Sequence, residues 1–425
     1  MVGIVFAWYI LKKNLLLLKI KQLCIILIVC FLVFNIIRYP QQTFDAAKAG
    51  VDTWFSVVLP ALLPFFIGAE LLIKLGVVHF IGILLEPIVR PIFNVPGQGS
   101  FILAMSVTSG YPMGVKLVTQ LRNEGVFHKI EAQRLISFCS TSGPLFMIGA
   151  VAIGMFHNPQ LGSIIAFSHY LGAIATGVIF RFYKFKHKSL NHYPSKKKYF
   201  SRAFSEMFRS IQSNEKSLGD LLGTSVKNSI ETLLVIGGFI ILFSVIIQLL
   251  TLIGFIDVIA MFLENFLLHF DIKKAAYPAI ISGIFEVTIG CKLLSEIPKI
   301  PFIQQAIFGT MLISWSGFSI HAQAASFIAK TDLSVGIYLF SKLLHAILSS
   351  IFVVLILPVS TFIFNFIHVP VFSNNTSPAI KFSWLTKFSF SSKIFISITL
   401  FSILAAILLQ MIFFFLYMIV HLHKK

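Results

Sequence analysis

Long apolar runs separated by short polar segments dominate the chain. An α-helix needs about 20 apolar residues to cross the hydrocarbon layer of a membrane, and most of the runs reach that length. The pattern therefore predicts an all-α polytopic membrane protein with about 12 membrane segments, the shortest of which either cross or re-enter. The runs cover residues 15–37, 52–76, 79–95, 98–120, 132–157, 161–182, 228–254, 256–270, 275–297, 303–328, 334–367 and 393–420.

Composition and charge agree with a membrane protein. Hydrophobic residues make up 57% of the chain, and the mean hydropathy is +0.90. The formal charge of +18 comes from basic residues that flank apolar runs, above all in the loop 184–227. We expect this loop at the cytoplasmic face, against anionic lipid and not on a nucleic acid. In the short run 79–95, Glu86 and Arg90 are four residues apart, which permits an ion pair on one helix face.

Two parts of the chain repeat each other. Matching stretches follow in the same order in both parts, at a nearly constant separation along the sequence. They pair Asp52–Thr53 with Glu231–Thr232, Glu70–Leu72 with Gln248–Leu250, Ser106–Leu117 with Ser282–Leu293, and Ser140–Gly143 with Ser314–Gly317. The first repeat should begin outside and end at the basic loop inside, so the second has the opposite orientation. Inverted-topology repeats are a known plan of secondary transporters.

The pattern gives five predicted parts. They are an N-terminal transmembrane helix (1–45), a first repeat (46–183), a basic cytoplasmic loop (184–227), a second repeat (228–367), and a linker with a C-terminal transmembrane helix (368–425).

The stretch Ser106–Leu117 is the polar centre of the first repeat. It lies in an apolar run, yet it contains a proline, two glycines, hydroxyls and Lys116. Broken backbone at membrane depth is tolerated only where protein covers it or where it lines a wet cavity. We therefore predict that this stretch lines a substrate path. A proline-kinked packing helix with a snorkelling lysine is the alternative.

Charged residues at matching positions suggest what the path would carry. Lys116 and Lys292 correspond in the two repeats, and two converging ammonium groups would suit a small anion, particularly a dicarboxylate. Snorkelling of both lysines to the membrane interface is the alternative. Glu286 stands where the first repeat has Gly110, so it could carry a proton or a cation, or pair with a lysine.

Two Ser-x-Ser-Gly stretches place hydroxyls and a flexible glycine mid-span. They could end half-helices whose amide groups bind an anion, although small residues also serve helix packing. The predicted substrate-binding residues are Lys116, Lys292, Ser109, Gly110, Gly114, Ser140, Ser142, Gly143, Ser314, Ser316 and Gly317. The residues predicted to couple or gate transport are Glu286, Thr288 and Gly290.

Three common enzyme motifs do not occur in the sequence. The spacing of Gly110, Gly114 and Lys116 is not that of a Walker loop, and there is no Gly-x-Ser-x-Gly elbow or His-Glu-x-x-His. The four cysteines form no Cys-x-x-Cys pair. We therefore expect no catalysis, no metal and no cofactor. We interpret His321, Gln323 and His345 as satisfied core groups.

Three stretches in order give the chain a family resemblance: Thr108–Leu117, Ser140–Pro144 and Phe285–Gly290. They resemble the YlbJ-type (SpoVV) sporulation integral membrane proteins of endospore-forming bacteria, which carry two nucleoside-recognition "gate" domains. The resemblance covers about residues 40–365 and implies that residues 46–183 and 228–367 are gate repeats. It also implies a multi-pass protein of the outer forespore membrane. Such a protein would move dipicolinate (pyridine-2,6-dicarboxylate) out of the mother cell.

Other functions remain open at the level of sequence. A gate-type nucleoside or ion transporter is one alternative, and a non-transporting membrane scaffold for spore envelope assembly is another. The expected partners are a small anion, with or without calcium, and membrane lipid, but no nucleic acid. A homo-oligomer is also compatible with the sequence.

Overall fold

The structure is a computed structural model that describes residues 22–23, 25–185, 199–213, 217–267 and 271–366. Every regular element in these residues is a helix, as predicted. The predicted run at 393–420 and the start of the run at 15–37 lie outside them. The helices are α1 (Ile25–Arg38), α2 (Pro40–Thr53), α3 (Leu59–Lys74), α4 (Val77–Phe93), α5 (Gln98–Ser109), α6 (Met113–Asn123), α7 (Lys129–Phe138), α8 (Pro159–Phe180), α9 (Tyr199–Ser213), α10 (Leu218–Leu252), α11 (Phe255–Phe266), α12 (Ala276–Phe285), α13 (Val287–Ser295), α14 (Phe302–Trp315), α15 (Gly317–Ile328) and α16 (Val335–Phe366), with π-helical segments at Trp54–Val58 and Phe146–Met155.

Four helices of the described chain are long and apolar enough to cross a membrane. They are Pro40–Lys74, which joins α2 and α3 through the first π-helical segment, Pro159–Phe180, Gly219–Leu252 and Val335–Pro358. Helices α4 and α5 would give a fifth span, but they are bent by 105° at their junction, which is the geometry of a broken or re-entrant segment. The predicted count of about 12 crossings stays a prediction, because several runs long enough to span divide into two short helices.

Four helix breaks interrupt these runs, each in a stretch that the sequence singled out. The break between α5 and α6 lies at Gly110 (φ 71°), and that between α12 and α13 lies at Glu286. The break after α7 spans Ser140–Gly143, and that between α14 and α15 lies at Ser316 (φ 80°). Each half of the chain therefore contains two interrupted runs.

The order of elements is the same in both halves. Each half opens with a long helix, Pro40–Lys74 or α10, and turns at a left-handed glycine, Gly76 (φ 72°) or Gly254 (φ 75°), into α4 or α11. Two interrupted runs and a long helix, α8 or α16, then follow. The opposite membrane orientation of the two halves stays a prediction.

The basic loop contributes an amphipathic helix, α9, that packs on α4. Phe200 and Phe204 lie with their ring centroids 5.8 and 4.9 Å from that of Phe80. The predicted ion pair is confirmed, with Arg90 Nη1 3.5 Å from Glu86 Oε1. Arg202 of α9 donates to the other carboxylate oxygen of Glu86 at 2.9 Å. The loop is therefore held to the bent α4–α5 pair by both aromatic and ionic contacts.

A polar contact joins the two halves at the end of α6. The Arg122 guanidinium donates to both oxygens of Asp332, in the loop between α15 and α16, at 3.0 Å each. Gln133 of α7 exchanges two hydrogen bonds with the backbone of Ser334, at 2.8 and 3.1 Å. Hydrogen bonds from Arg122 hold the pKa of the Asp332 carboxyl below its usual value. The contact fixes the α15–α16 loop on the first half.

We expect Asp332→Asn to lower the stability of the protein in detergent at pH 7 by up to about 1 kcal/mol, as for a well-aligned surface pair. Because the pKa of Asp332 is depressed in the folded protein, this contribution is present above the unfolded pKa of about 4 and is lost as the pH falls through the folded pKa. Melting temperatures measured from pH 7 to 3 should converge for wild type and variant. Asp271→Asn, at an exposed aspartate of the described chain, is the control. A constant difference across this range would contradict the prediction.

Candidate functional site

Residues of all four interrupted runs line one cavity, whose space of about 660 Å³ between the atoms includes open solvent. Helices α3 and α10, which open the two halves, supply its apolar walls. The breaks supply backbone, hydroxyls and one carboxylate. The lining residues that come from the breaks and the turns beside them are Thr108, Ser109, Gly110, Tyr111, Ser142, Gly143, Glu286, Val287, Thr288 and Ser319. We call this the central cavity.

Several half-helices begin at the central cavity. Val287 and Thr288 start α13, Ser319 lies in the first turn of α15, and Phe146 starts the second π-helical segment. Helix N-termini carry partial positive charge and unpaired amide groups, so their convergence favours an anion or a polar group in the cavity.

Glu286 occupies one of these N-termini itself. Its carboxylate accepts hydrogen bonds from the Ile289 amide at 2.8 Å and from the Thr288 hydroxyl at 3.2 Å, and only 3% of the residue is exposed. In the first half, α6 has no side-chain cap, and Gly110 stands at the position of Glu286. The start of α13 is therefore capped by a side chain, and that of α6 is not.

A second cavity, of about 1210 Å³, adjoins the central one. The two share Phe66, Ser109, Tyr111, Ile236, Phe239 and Gln323. Lys116 lines this second cavity together with Glu70 and Thr232. We call it the outer cavity, because the Lys116 side chain that lines it is exposed.

The two predicted lysines do not line the same cavity. Lys292 lines neither of the two, and its ammonium donates to the Thr53 hydroxyl at the end of α2 at 2.8 Å. Thr53 and Thr232 occupy matching positions of the two halves. Lys292 of the second half thus donates to Thr53 of the first, and Lys116 of the first half shares the outer cavity with Thr232 of the second. Convergence of both ammonium groups on one anion is therefore not a feature of this arrangement.

The remaining predicted residues divide into two groups. Ser109, Gly110, Ser142, Gly143, Glu286 and Thr288 line the central cavity. The others lie behind it, in contacts that hold the breaks together: Ser140, Ser314, Ser316, Gly114, Gly290 and Gly317.

A buried polar cluster behind the breaks escaped the sequence analysis. Lys342 donates to the Ser140 carbonyl at 2.7 Å and lies 3.3 Å from His345 Nδ1. His169 accepts from the Ser142 amide at 3.0 Å and lies 2.9 Å from the Ser314 hydroxyl. The sequence did contain a signal for this cluster. His169 and His345 are separated by the same number of residues as the matched pair Lys116 and Lys292, so the two histidines also occupy matching positions of the two halves.

The interpretation of the other histidines is correct only in part. His345 is buried and satisfied, because its Nε2 lies 2.9 Å from the His169 carbonyl. His321 is buried among the rings of Trp315, Phe318 and Tyr338, but neither ring nitrogen has a hydrogen-bond partner in the described chain. No three metal-ligating side chains come together within the described residues.

Comparison with known proteins identifies the family. The Gate family, described as nucleoside recognition, matches residues 55–180. The sporulation integral membrane protein YlbJ of Bacillus subtilis (strain 168) is 41% identical over 344 residues, which is 80% of this chain and 83% of the relative. The chain belongs to the YlbJ family. An uncharacterized protein of Alkalihalophilus pseudofirmus is 29% identical over 117 residues, 27% of this chain and 25% of that protein.

Membership of the YlbJ family confirms the resemblance drawn from the sequence. Together with the long apolar helices, it identifies an integral membrane protein of a sporulating bacterium. The Gate match covers the Gly110 and Ser140–Gly143 breaks and the whole of α8. The first-half part of the central cavity therefore lies within the gate region of this YlbJ family member.

Replacing Glu286 should separate its capping role from its charge. We expect Glu286→Ala to lower the stability by about 1 kcal/mol, the usual value of a helix N-cap. Glu286→Gln keeps an oxygen that accepts from the Ile289 amide, so its melting temperature should fall less. Asp257→Ala, in the first turn of α11 without a side-chain cap bond, is the matched control. Equal melting temperatures for Glu286→Ala and wild type would refute the capping role.

Gly290 should tolerate no side chain, because α13 and α12 touch there. A Cβ atom at Gly290 would lie 2.2 Å from the Gly283 Cα atom. We expect Gly290→Ala to cost about 1–3 kcal/mol, as overpacking does, or to prevent folding. Gly238→Ala, with no atom within 4 Å of the added methyl group, should be neutral or gain about 0.5–1 kcal/mol. Thermal unfolding followed by size-exclusion chromatography measures both, and an unchanged Gly290→Ala would refute the contact.

Proposed function

We propose that this chain is a secondary transporter or facilitator for a small organic anion. The proposed cargo is dipicolinate, carried from the mother cell across the outer forespore membrane during sporulation. The observation that carries the proposal is the central cavity, in which four broken helices meet. Broken helices around a site buried in the protein are typical of carriers, because half-helices can both bind a substrate and move.

The lining of the central cavity suits a planar aromatic acid. Phe66, Phe146 and Phe239 present aromatic rings, while Ser109 and Ser142 bring hydroxyls and the helix starts bring amide groups. Rings of this kind stack on an aromatic ligand, and hydroxyl and amide groups donate to its carboxylates.

The proposed carrier consists of two inverted repeats with about 12 membrane segments in total. In such a carrier the two repeats rock about a fixed site and expose it to each side in turn. Lys116, on the outer cavity, would attract the anion toward Tyr111. Glu286 would couple or gate the movement, since a carboxylate among apolar walls responds to a proton or a cation.

A gate-type nucleoside or ion transporter is the second candidate. The match of residues 55–180 to a family described as nucleoside recognition favours it, as does the presence of a carboxylate in the central cavity. A non-transporting scaffold would have no need for a cavity lined by broken helices. The choice among these depends on a direct measurement of cargo.

Dipicolinate content of spores tests the proposed cargo. In a strain without this protein we expect spores with less than a tenth of the normal dipicolinate and a mother cell that still makes and retains the compound. Complementation by the wild-type chain and by Gly238→Ala should restore the content, because that change meets no neighbouring atom.

Two outcomes would contradict the assignment. Normal dipicolinate in spores of the deletion strain would exclude it as the cargo. Loss of dipicolinate from the mother cell as well would place the defect in synthesis. Uptake of a nucleoside, but not of dipicolinate, by liposomes that contain the purified chain would select the second candidate.

A further inference from the structure

A fully buried lysine lies directly behind the central cavity. Lys342 belongs to the apolar span Val335–Pro358 of α16, and none of its surface is exposed. No carboxylate of the described residues forms an ion pair with it. A buried, unpaired ammonium group costs several kcal/mol, so a lysine at such a position either gives up its proton or needs a partner of opposite charge.

The two histidines beside Lys342 carry no charge of their own. The Ser142 amide can only donate, so His169 Nε2 accepts, and His169 Nδ1 carries the proton toward the Ser314 hydroxyl. The His169 carbonyl can only accept, so His345 Nε2 carries the proton, and His345 Nδ1 accepts from Lys342. Both rings are therefore neutral donors and acceptors, which leaves Lys342 as the member of the cluster that can carry a positive charge.

One donor of Lys342 remains after these contacts. An ammonium group has three N–H bonds, and the Ser140 carbonyl and His345 account for two. Tyr111 lies next to it, with the Lys342 nitrogen 5.9 Å from the centroid of its ring. Tyr111 also lines both cavities. Tyr111 thus lies beside both the buried lysine and the space where an anion would lie.

We propose that Lys342 is a substrate-binding residue that neutralises a carboxylate of the anionic substrate when Tyr111 moves aside. This inference rests on the proposed function and names the counter-charge at its site. It gives the buried amine an acidic partner, since a carboxylate of the substrate would hold its proton in place. Lys342 has no matching lysine in the first half. The separation between His169 and His345, applied to Lys342, leads to Ala166. The proposed role therefore belongs to one half only.

Transport by the purified full-length chain in liposomes tests this role. We expect Lys342→Met, which keeps the length of the side chain and removes its charge, to raise the KM for dipicolinate at least about tenfold, as loss of a buried charged contact does. The preference for dipicolinate over pyridine-2-carboxylate, which has one carboxylate fewer, should fall in the variant. Lys227→Gln, at an exposed lysine of α10, is the control and should transport as wild type does.

The outcomes separate the inference from the function on which it rests. Wild-type uptake of dipicolinate with unchanged KM and preference in Lys342→Met would overturn only the role of the lysine. No uptake by the wild type would overturn the proposed function, and the inference with it. A lysine that only ties α16 to the Ser140 break would lower the melting temperature of the variant without changing the preference between the two anions.

A second measurement needs no variant of Lys342 and covers the case in which Lys342→Met does not fold. Acetic anhydride acylates lysines that become accessible, and mass spectrometry of peptides reads the extent at each one. We expect slow acylation of Lys342 in the wild type, faster acylation in Tyr111→Ala, and protection by dipicolinate in both. The exposed Lys330 should react alike with and without the anion. Failure of Lys342 to react in either protein, or reaction without protection by dipicolinate, would overturn the inference.

Discussion

The structure depends on one constraint: backbone that is broken inside a membrane protein must find its hydrogen bonds and its packing within the protein. Here the breaks meet in pairs. A Cβ atom at Gly110 would lie 3.0 Å from the Gly143 nitrogen, and one at Gly317 would lie 3.1 Å from the Phe285 carbonyl oxygen. Side chains donate hydrogen bonds to carbonyl oxygens near the breaks, as Trp315 Nε1 does to the Ile284 oxygen at 3.1 Å. Because the breaks cover one another, half-helices can start and end around a cavity without exposing their backbone to lipid.

The same architecture carries different chemistry in its two halves. Glu286 caps α13 with its own carboxylate, whereas α6, which follows Gly110, has no side-chain cap. One helix start thus carries a carboxylate of its own chain, and the other has no acidic side chain at its N-terminus. Lys342 has no charged counterpart in the first half, where Ala166 stands at the corresponding position. The region in which two similar halves meet is therefore asymmetric in charge.

The positions of the breaks could be predicted from sequence, because a helix that faces lipid rarely combines glycine, proline and serine inside an apolar run. The role of Glu286 could be predicted only in part, since its charge was evident but its capping of α13 was not. Lys342 was missed because matching of the two halves favours residues with a charged counterpart. The contact of Lys292 with Thr53 could not be predicted at all, since it joins residues 239 positions apart and depends on how the halves pack. What sequence leaves out is therefore mainly contact between the halves.

Those contacts bear on how a carrier of this kind would move. Trp54 Nε1 donates to the Leu233 carbonyl at 2.9 Å, and His345 Nε2 lies 2.9 Å from the His169 carbonyl, so both pairs join positions of the first half to positions of the second. Each contact is directional, and a shift of one half against the other must break it or move its partner along. A shift of the Ser140–Gly143 break would then also displace α16, because His169 is bonded to the Ser142 amide and His345 belongs to α16. These shared hydrogen bonds join the first half directly to the second half.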